Sequence, residues 1–300
     1  MNIAIVGNGA IGNLLAANCQ RLGLNYHLLT RNGLGLELSI RRFKQDQQHF
    51  TPSVKSVHAP GDFDMLVLPL KAYQIVPAIE QLRAHLQPRQ TVVLLHNGMG
   101  SIEHVKLLLP HNPIVAATTS YAAYKPTAQT LIETGLGQTH CGWVSTNASW
   151  HREQVESRLS ALLPPCTWHQ DIQLALWNKL AINAVINPLS AIEHITNGQL
   201  KAKQYQQHIA QLCAENARVM QACGFATSAA ALLEKVHTVI RDTAQNFSSM
   251  NRDIAFGRPS EIDYINGYLV QQAQQHDIAA PLNTRLVSAI KHLEALKKDA

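Results

Sequence analysis

An apolar stretch of the chain carries three polar side chains at regular spacing. In LWNKLAINAVINPL, residues 176–189, Lys179, Asn183 and Asn187 each follow the previous one by four positions. Four residues advance a helix by one turn plus about 40°, so the three side chains form one narrow stripe. Asn is a poor helix former, and Glu or Gln would serve a water-facing stripe better. We therefore predict that the stripe lines a polar cleft between two domains and binds a ligand; exposure to bulk water is the alternative.

A lysine in such a cleft has a chemical use. Hydride delivery to a carbonyl carbon leaves negative charge on the oxygen, which a nearby ammonium can stabilise and then protonate. Partial desolvation lowers the pKa of a lysine and makes it a better acid. Lys179 is thus the candidate general acid for carbonyl reduction.

The N-terminal segment predicts where the hydride donor binds. A short apolar run, residues 2–6, precedes a G-x-G-x-x-G pattern that opens a helical pattern, and the six residues are Gly7, Asn8, Gly9, Ala10, Ile11 and Gly12. The first glycine permits the tight turn, the second lets backbone N–H groups approach a pyrophosphate, and the third lets helix and strand pack closely. The helix N-terminus adds unpaired N–H donors and a partial positive charge. These six residues are the predicted cofactor-binding turn; a mere glycine turn is the alternative.

The end of the second predicted strand distinguishes the two nicotinamide cofactors. NAD sites usually place Asp or Glu there for the ribose 2′-hydroxyl, and NADP sites place a cation for the 2′-phosphate. This chain has Thr30, Arg31 and Asn32 at that point and no carboxylate before Glu37. Arg31 can pair bidentately with a phosphate and stack on adenine. We therefore predict NADPH as the cofactor; an ordinary surface arginine is the alternative.

Three more polar residues have two interpretations each. Lys71 and Asn97 follow predicted strands of an open α/β sheet, at the edge where ligands bind. By position alone, they are equally a solvated loop lysine and part of a turn. Glu261 lies between Ser260 and Asp263, which are spaced like a helix cap. The alternative to a functional role is therefore a carboxylate that the helix dipole favours.

The order of elements predicts two domains. Residues 1–168 alternate short apolar runs with helical patterns, which is typical of an α/β fold with a Rossmann-type doubly wound sheet. Within them, we expect short antiparallel strands in residues 36–57 and a hairpin in residues 131–144. Residues 169–300 have helical periodicity almost throughout and are predicted as an all-helical domain that carries the substrate and catalytic groups.

Composition excludes several classes of protein. The 300 residues are 46% hydrophobic and 15% charged, and no run of 18 apolar residues predicts a membrane span. The first residues lack a basic segment and a long apolar one, so we expect a cytoplasmic protein. Five cysteines without C-x-x-C spacing and fifteen scattered histidines indicate no metal site. A net charge of +5 without a basic, aromatic-interleaved stripe favours a small anionic ligand over nucleic acid.

Taken in order, the motifs resemble those of the ketopantoate reductase (2-dehydropantoate 2-reductase) family. The resemblance spans nearly the whole chain and is carried by GNGAIG at 7–12, LKAYQ at 70–74, HNGMG at 96–100, LWNKLAINAVINPL at 176–189, SSM at 248–250 and EIDYING at 261–267. It implies reduction of the 2-oxo group of ketopantoate to (R)-pantoate with NADPH, on the route to pantothenate and coenzyme A.

The resemblance also implies roles for cofactor-binding residues. The six residues of the glycine turn would hold the pyrophosphate, and Arg31 would hold the 2′-phosphate. Lys71 and Asn97 would lie along the cofactor, with Asn97 reaching the substrate. Glu261 would contribute to the cofactor site as well as to the catalytic group.

Substrate and catalytic roles follow from the same resemblance. Lys179 would be the general acid for the C2 oxygen. Asn183 and Asn187 would hydrogen-bond the hydroxyl end of the substrate, and Ser249 would bind its carboxylate. Glu261 would hold the substrate and Lys179 in place.

Two other functions remain open at the level of sequence. One is another NADP-dependent oxidoreductase of 2-oxo acids or hydroxyacids with the same two domains. The other is a cofactor-binding regulator without catalysis, which need not retain Lys179, Ser249 and Glu261 together. The sequence leaves the choice between a monomer and a homodimer open as well.

Overall fold

The chain forms two compact units. The computed structural model describes residues 1–145 and 151–298. The first unit comprises Met1–His96 and Ser101–Ile172, and the second comprises Asn97–Gly100 and Gln173–Ala300. A four-residue segment from the first half of the chain thus belongs to the second unit.

The first unit is built on an eight-stranded sheet. In spatial order its strands are β12 (Cys166–His169), β11 (Thr139–Trp143), β8 (Ile114–Thr119), β7 (Thr91–Leu95), β6 (Met65–Leu68), β1 (Ile3–Val6), β2 (Tyr26–Thr30) and β5 (Val54–Ser56). Six strands that are adjacent in the sheet, β5, β2, β1, β6, β7 and β8, run parallel to one another. β11 pairs antiparallel with β8. The run β5-β2-β1-β6-β7-β8 has the strand order of a doubly wound nucleotide-binding sheet, which confirms the predicted fold class.

Burial explains why these segments form the centre of the sheet. Every residue of β1, β6 and β7 is buried, as expected for parallel strands covered on both faces. The strand order reverses between β1 and β6, so their carboxyl ends diverge and leave a crevice where ligands bind in such sheets. The glycine turn directly follows β1.

Among its described residues, the first unit has four α-helices. They are α1 (Ala10–Arg21), α2 (Ala72–Leu82), α3 (Ser101–Leu108) and α4 (Arg152–Leu162). The first of them is buried without interruption from Gly12 to Cys19, because it contacts strands of the large sheet and of a second, smaller sheet.

The smaller sheet has four strands in the order β4-β3-β10-β9. They are β3 (Leu38–Arg41), β4 (Gln47–Phe50), β9 (Ala122–Thr127) and β10 (Thr130–Gly135). The antiparallel pair β3–β4 confirms the strands predicted within residues 36–57.

The hairpin predicted for residues 131–144 is wrong. β10 pairs with β9 and β3, whereas β11 pairs with β8 and β12 in the large sheet. Gly137, between β10 and β11, permits a close approach of two chain segments, since a Cβ on it would overlap the backbone of Tyr121. Cys141 and Gly142, adjacent in β11, are both buried, so this strand needs cover on both faces.

The second unit contains helices and, among its described residues, no strand. The helices are α5 (Gln173–Ile192), α6 (Lys203–Ala222), α7 (Ala229–Asp242), α8 (Ser249–Ala255), α9 (Asn266–Gln275) and α10 (Pro281–Lys298), with short 3₁₀ turns at Asn197–Lys201 and Ile262–Tyr264. α5 contacts α6, α7, α8 and α10 and is the centre of the unit. In the part of the chain that the structure describes, no helix combines the length and apolarity needed to cross a bilayer.

A proline inside α5 is compensated by a side chain from α9. Pro188 has no N–H to donate to the carbonyl of Ala184. The buried amide of Asn266 donates to that carbonyl instead, at 2.8 Å. Asn266 also donates to Asn283 (2.9 Å), which in turn donates to the buried carboxylate of Glu215 (2.8 Å). The middle of α5 is therefore held by a buried polar network.

Candidate active site

The glycine turn has a backbone that other residues cannot adopt without cost. Gly7 has a φ of +86°, and a Cβ on it would lie 2.8 Å from the side chain of Leu70. A Cβ on Gly12 would overlap the carbonyl oxygen of Gly7. Gly9 differs, because a Cβ there would meet nothing within 4 Å. Two glycines are thus required by packing, and the third leaves an open surface.

The N-terminus of α1 presents donors at this open surface. Gly9 is the N-cap residue and offers no side chain to the helix, and the first turn holds no acidic residue. Asn13 turns its amide back and donates to the carbonyls of Asn8 (2.6 Å) and Gly9 (3.0 Å), which fixes the loop. Backbone N–H groups and the helix dipole favour an anion at this point, so the turn fits a dinucleotide phosphate.

Two basic residues of the first unit follow the strands on either side of β1. Arg31 directly follows β2 and is exposed. Lys71 precedes α2, is partly buried and donates its backbone N–H to the side chain of Gln74 at 3.3 Å. Because β2 and β6 flank β1 and run parallel to it, both residues leave the sheet at the edge where the glycine turn lies.

In the second unit, the stripe on α5 is only partly open to solvent. Lys179 and Asn183 are partly buried, and Asn187 is 6% exposed. The neighbouring apolar positions Trp177 and Leu180 are buried. The stripe is therefore more enclosed than the water-facing stripe that was the alternative at the level of sequence, most of all at Asn187.

Lys179 and Glu261 of the second unit attract each other electrostatically. Burial lowers the pKa of the Lys179 ammonium from 10.5 to about 8, and the negative charge of Glu261 opposes this fall. The Glu261 carboxylate is itself only 3% exposed. A cation in this setting can lose a proton near neutral pH, as a general acid must.

The segment with Asn97 is fixed to the same part of the second unit. The N–H of Met99 donates to the carbonyl of Tyr264 at 2.9 Å. Gly98 has a φ of +78°, and a Cβ on it would lie 2.7 Å from the same carbonyl oxygen. The close approach requires glycine and places Asn97, which is partly buried, near the turn that follows Glu261.

The segment with Ser249 is attached to α5 at Asn187. Ser248 is the N-cap of α8, and its hydroxyl accepts from the N–H of Asn251 at 3.1 Å. The same hydroxyl accepts from Ser190 (2.8 Å) and lies 3.4 Å from the carbonyl of Asn187. Ser249 follows as the first residue of α8 and is exposed. The contacts of Ser248 thus hold the start of α8, where Ser249 lies, beside the backbone of Asn187.

Known proteins share this combination of units over their full length. The family models described as "Ketopantoate reductase PanE/ApbA" and "Ketopantoate reductase PanE/ApbA C terminal" match residues 3–145 and 171–294. A 2-dehydropantoate 2-reductase of Vibrio cholerae is 37% identical over 98% of this chain and 98% of its own. The enzyme of the same name from Escherichia coli O157:H7 is 37% identical over 98% of this chain and 96% of its own.

The chain belongs to the ketopantoate reductase family. It is accordingly an oxidoreductase. The resemblance found in the sequence is confirmed, since it names the same family.

Solved structures share the fold of this ketopantoate reductase family member. A D-mandelate dehydrogenase determined with NADH and anilino(oxo)acetate has a TM-score of 0.91 and 19% identity, over 99% of this chain and 100% of that one. A dimeric ketopantoate reductase from Staphylococcus aureus has a TM-score of 0.83 and 21% identity, over the same shares of the two chains. These likenesses establish the fold.

The capping arrangement predicted for Ser260 and Asp263, on either side of Glu261, does not match the structure. The hydroxyl of Ser260 accepts from the N–H of Ile262 at 3.2 Å, and Asp263 pairs with Lys291 at 2.7 Å. Ser260 and Asp263 therefore do not form a capping box. Glu261 itself is buried and is the N-cap residue of the 3₁₀ turn Ile262–Tyr264, where the dipole also favours a carboxylate.

Sequence reasoning missed two side chains at the glycine turn. Asn13 lies one turn into α1, where an amide reads as an ordinary helix residue. Lys125, on β9, donates to the carbonyl of Asn8 at 3.2 Å across a separation of 117 residues. The sequence around Lys125 gives no indication of this contact. The smaller sheet creates it.

Proposed function

We propose that the protein reduces the 2-oxo group of 2-dehydropantoate (ketopantoate) to (R)-pantoate with NADPH, in the pathway to pantothenate and coenzyme A. The names of the relatives at 37% identity support this substrate. The observation that carries the mechanism is the electrostatic attraction between Lys179 and the buried carboxylate of Glu261, at a place where burial lowers the lysine pKa to about 8.

The proton donor in this proposal is the ammonium of Lys179. Reduced nicotinamide, when bound, supplies the hydride. As the C2 oxygen gains negative charge, Lys179 stabilises that charge and transfers its proton to the oxygen. Glu261 keeps the ammonium charged in a desolvated setting, which it does through the attraction that raises the lysine pKa.

The substrate is held by polar groups of the second unit. Asn183 and Asn187 donate hydrogen bonds to its hydroxyl end, and Ser249 binds its carboxylate. The attachment of Ser248 to the carbonyl of Asn187 supports this division, because it keeps the start of α8 beside the stripe. Asn97 reaches the substrate from the segment held by Tyr264.

The cofactor in this proposal is NADPH and not NADH. The glycine turn binds the diphosphate, and Lys71, Asn97 and Glu261 lie along the cofactor. Arg31 follows β2 with an exposed side chain and binds the 2′-phosphate. The five cysteines are all free thiols, which suits the reducing cytoplasm in which we place the reaction.

A substrate panel tests the function. With purified protein and NADPH, ketopantoate should be turned over with a kcat/KM orders of magnitude above that of other 2-oxo acids. A different leading 2-oxo acid would indicate another oxidoreductase of this type. Binding of NADPH without turnover of any oxo acid would indicate a regulator.

The cofactor preference has its own test. Arg31→Ala removes a guanidinium that we expect to contribute a charge-assisted bond to the 2′-phosphate. NADPH should bind about tenfold to a hundredfold more weakly, and NADH should be little affected. Equal kcat/KM for NADH and NADPH in the unaltered protein would contradict the assignment of NADPH.

A further inference from the structure

A lysine from the smaller sheet reaches the glycine turn. Lys125 lies on β9, which pairs with β10, and both strands of the smaller sheet contact α1. Its ammonium donates to the carbonyl oxygen of Asn8 at 3.2 Å. Asn8 is the second residue of the turn and is exposed. The ammonium therefore lies at the rim of the surface that the unpaired N–H groups of α1 face.

The positive charge of Lys125 has no counter-charge in the described chain. Within residues 1–145 and 151–298, its recorded hydrogen bond is to Asn8, and no carboxylate pairs with it. Partial burial lowers the pKa of this lysine, and no neighbouring negative charge opposes the fall. An ammonium that is partly desolvated and bonded only to a carbonyl is in an unfavourable setting unless an anion joins it.

We propose that Lys125 is a cofactor-binding residue whose ammonium pairs with the diphosphate of the bound dinucleotide. The inference rests on the proposed function, in which the glycine turn holds that diphosphate. Backbone N–H groups and a helix dipole supply only partial charges to this group. Lys125 supplies the full positive charge that the turn itself lacks, because residues 7–12 contain no basic side chain.

The contacted atom distinguishes the diphosphate from the 2′-phosphate. Lys125 bonds to Asn8, inside the turn, whereas Arg31 follows β2, the neighbouring strand. A charge at the turn should therefore act equally on NADPH and NADH, since both contain the diphosphate. A charge at the end of β2 should act on NADPH alone.

Binding measurements on ligand fragments separate these possibilities. We would compare Lys125→Met, Lys125→Gln and Lys125→Arg with the unaltered chain by titration calorimetry, using NADPH, NADH, ADP-ribose and, by competition, adenosine 2′-monophosphate. ADP-ribose has the diphosphate without the 2′-phosphate, and adenosine 2′-monophosphate has the reverse. The matched control is Lys106→Met, which removes a lysine of the same unit that pairs with Glu103 at 3.1 Å.

The two neutral variants should weaken NADPH, NADH and ADP-ribose by the same factor, about tenfold or more. Adenosine 2′-monophosphate should bind them as it binds the unaltered chain. Lys125→Arg should retain most of the affinity, because it keeps the charge, and Lys106→Met should retain all of it. Two neutral variants guard against a loss that reflects misfolding, and their melting temperatures check this directly.

Several results would overturn the inference. Unchanged affinity for ADP-ribose in folded Lys125→Met and Lys125→Gln would remove Lys125 from the site. A loss confined to NADPH and adenosine 2′-monophosphate would reassign it to the 2′-phosphate. Neither result touches the proposed function, which fails separately if the unaltered chain binds no dinucleotide or leaves ketopantoate unreduced.

Discussion

The glycine turn of the first unit and the polar stripe of the second handle charge in opposite ways. The turn is exposed at Asn8 and Gly9 and offers backbone N–H groups to an anion. The stripe is partly buried and relies on side chains, with a lysine whose pKa burial lowers to about 8. A backbone cradle can bind a charged group without any titratable residue, whereas proton transfer requires one. The two regions are therefore expected to respond differently to substitution.

Because of this difference, we expect the turn to determine cofactor affinity and the stripe to determine kcat. Partial charges at a helix end stabilise a ligand that arrives already charged. A desolvated ammonium next to a buried carboxylate instead has its effect when charge develops on the substrate. Changes in the turn should alter cofactor affinity, and changes in the stripe should alter kcat.

The largest effect is expected at Lys179. Lys179→Ala removes the proposed proton donor and should lower kcat by about a hundredfold or more, which is the usual effect of general acid catalysis. NADPH affinity should change far less. Lys235→Ala is the matched control, because Lys235 contacts the same helix through Asn178 at 2.7 Å but carries no catalytic role. An unchanged kcat in Lys179→Ala would refute the role of this residue.

Substitutions of Gly9 and Gly12 should differ in effect, because the first should weaken cofactor binding and the second should lower stability. Gly9→Ala adds a Cβ that meets nothing within 4 Å, so the melting temperature should hardly change. The new methyl group would occupy the surface at which we propose that the diphosphate binds, and affinity for NADPH and NADH should fall about tenfold. Gly12→Ala places its Cβ on the Gly7 carbonyl and should destabilise the fold itself.

Calorimetry and cofactor titration on both variants check this contrast. Equal stability losses in the two would mean that Gly9 is required by packing. Unchanged cofactor affinity in a stable Gly9→Ala variant would mean that the dinucleotide does not approach this surface.

The dependence of kcat/KM on pH tests the role of Lys179 as the general acid. A general acid must be protonated, so kcat/KM should be full below pH 8 and fall above it, following a Lys179 pKa of about 8. Glu261 raises this pKa, and Glu261→Gln should therefore move the falling limb to lower pH. At pH values above the pKa, each unit by which the pKa falls lowers kcat/KM about tenfold. A limb that stays in place or moves to higher pH would show that another group titrates.

The fold was predictable where the spacing of apolar residues within one helix or strand indicates which of its residues are buried. Fully buried runs such as Ile3–Val6 and the helical spacing after the glycine turn identify the Rossmann-type sheet. Pairing between distant segments was not predictable in the same way. Residues 131–144 contain two strands of different sheets, and only the tertiary structure decides that β10 joins β3 while β11 joins β8.

The site was predictable where the residue type conflicts with its local setting. Asn183 and Asn187 stand out because amides disfavour an apolar helix, and Arg31 because a carboxylate is expected there. Lys125 conflicts with nothing in its own strand, and its position at the turn arises from packing of the smaller sheet over α1. The electrostatic state of Lys179 is likewise a property of burial and of Glu261, which lies far from it in sequence.

The smallest effect is expected in the support of the stripe. Asn266→Ala leaves the carbonyl of Ala184 without its donor, because Pro188 cannot replace it. The free energy of unfolding should fall by about 1–3 kcal/mol, the usual cost of a buried unsatisfied carbonyl. On a Pro188→Ala background the helix supplies its own N–H at residue 188, so the same change should cost less. A double-mutant cycle of thermal unfolding should therefore show a coupling of about 1 kcal/mol between these two positions. Additive losses would mean that Asn266 stabilises the unit through Asn283 and not by completing α5.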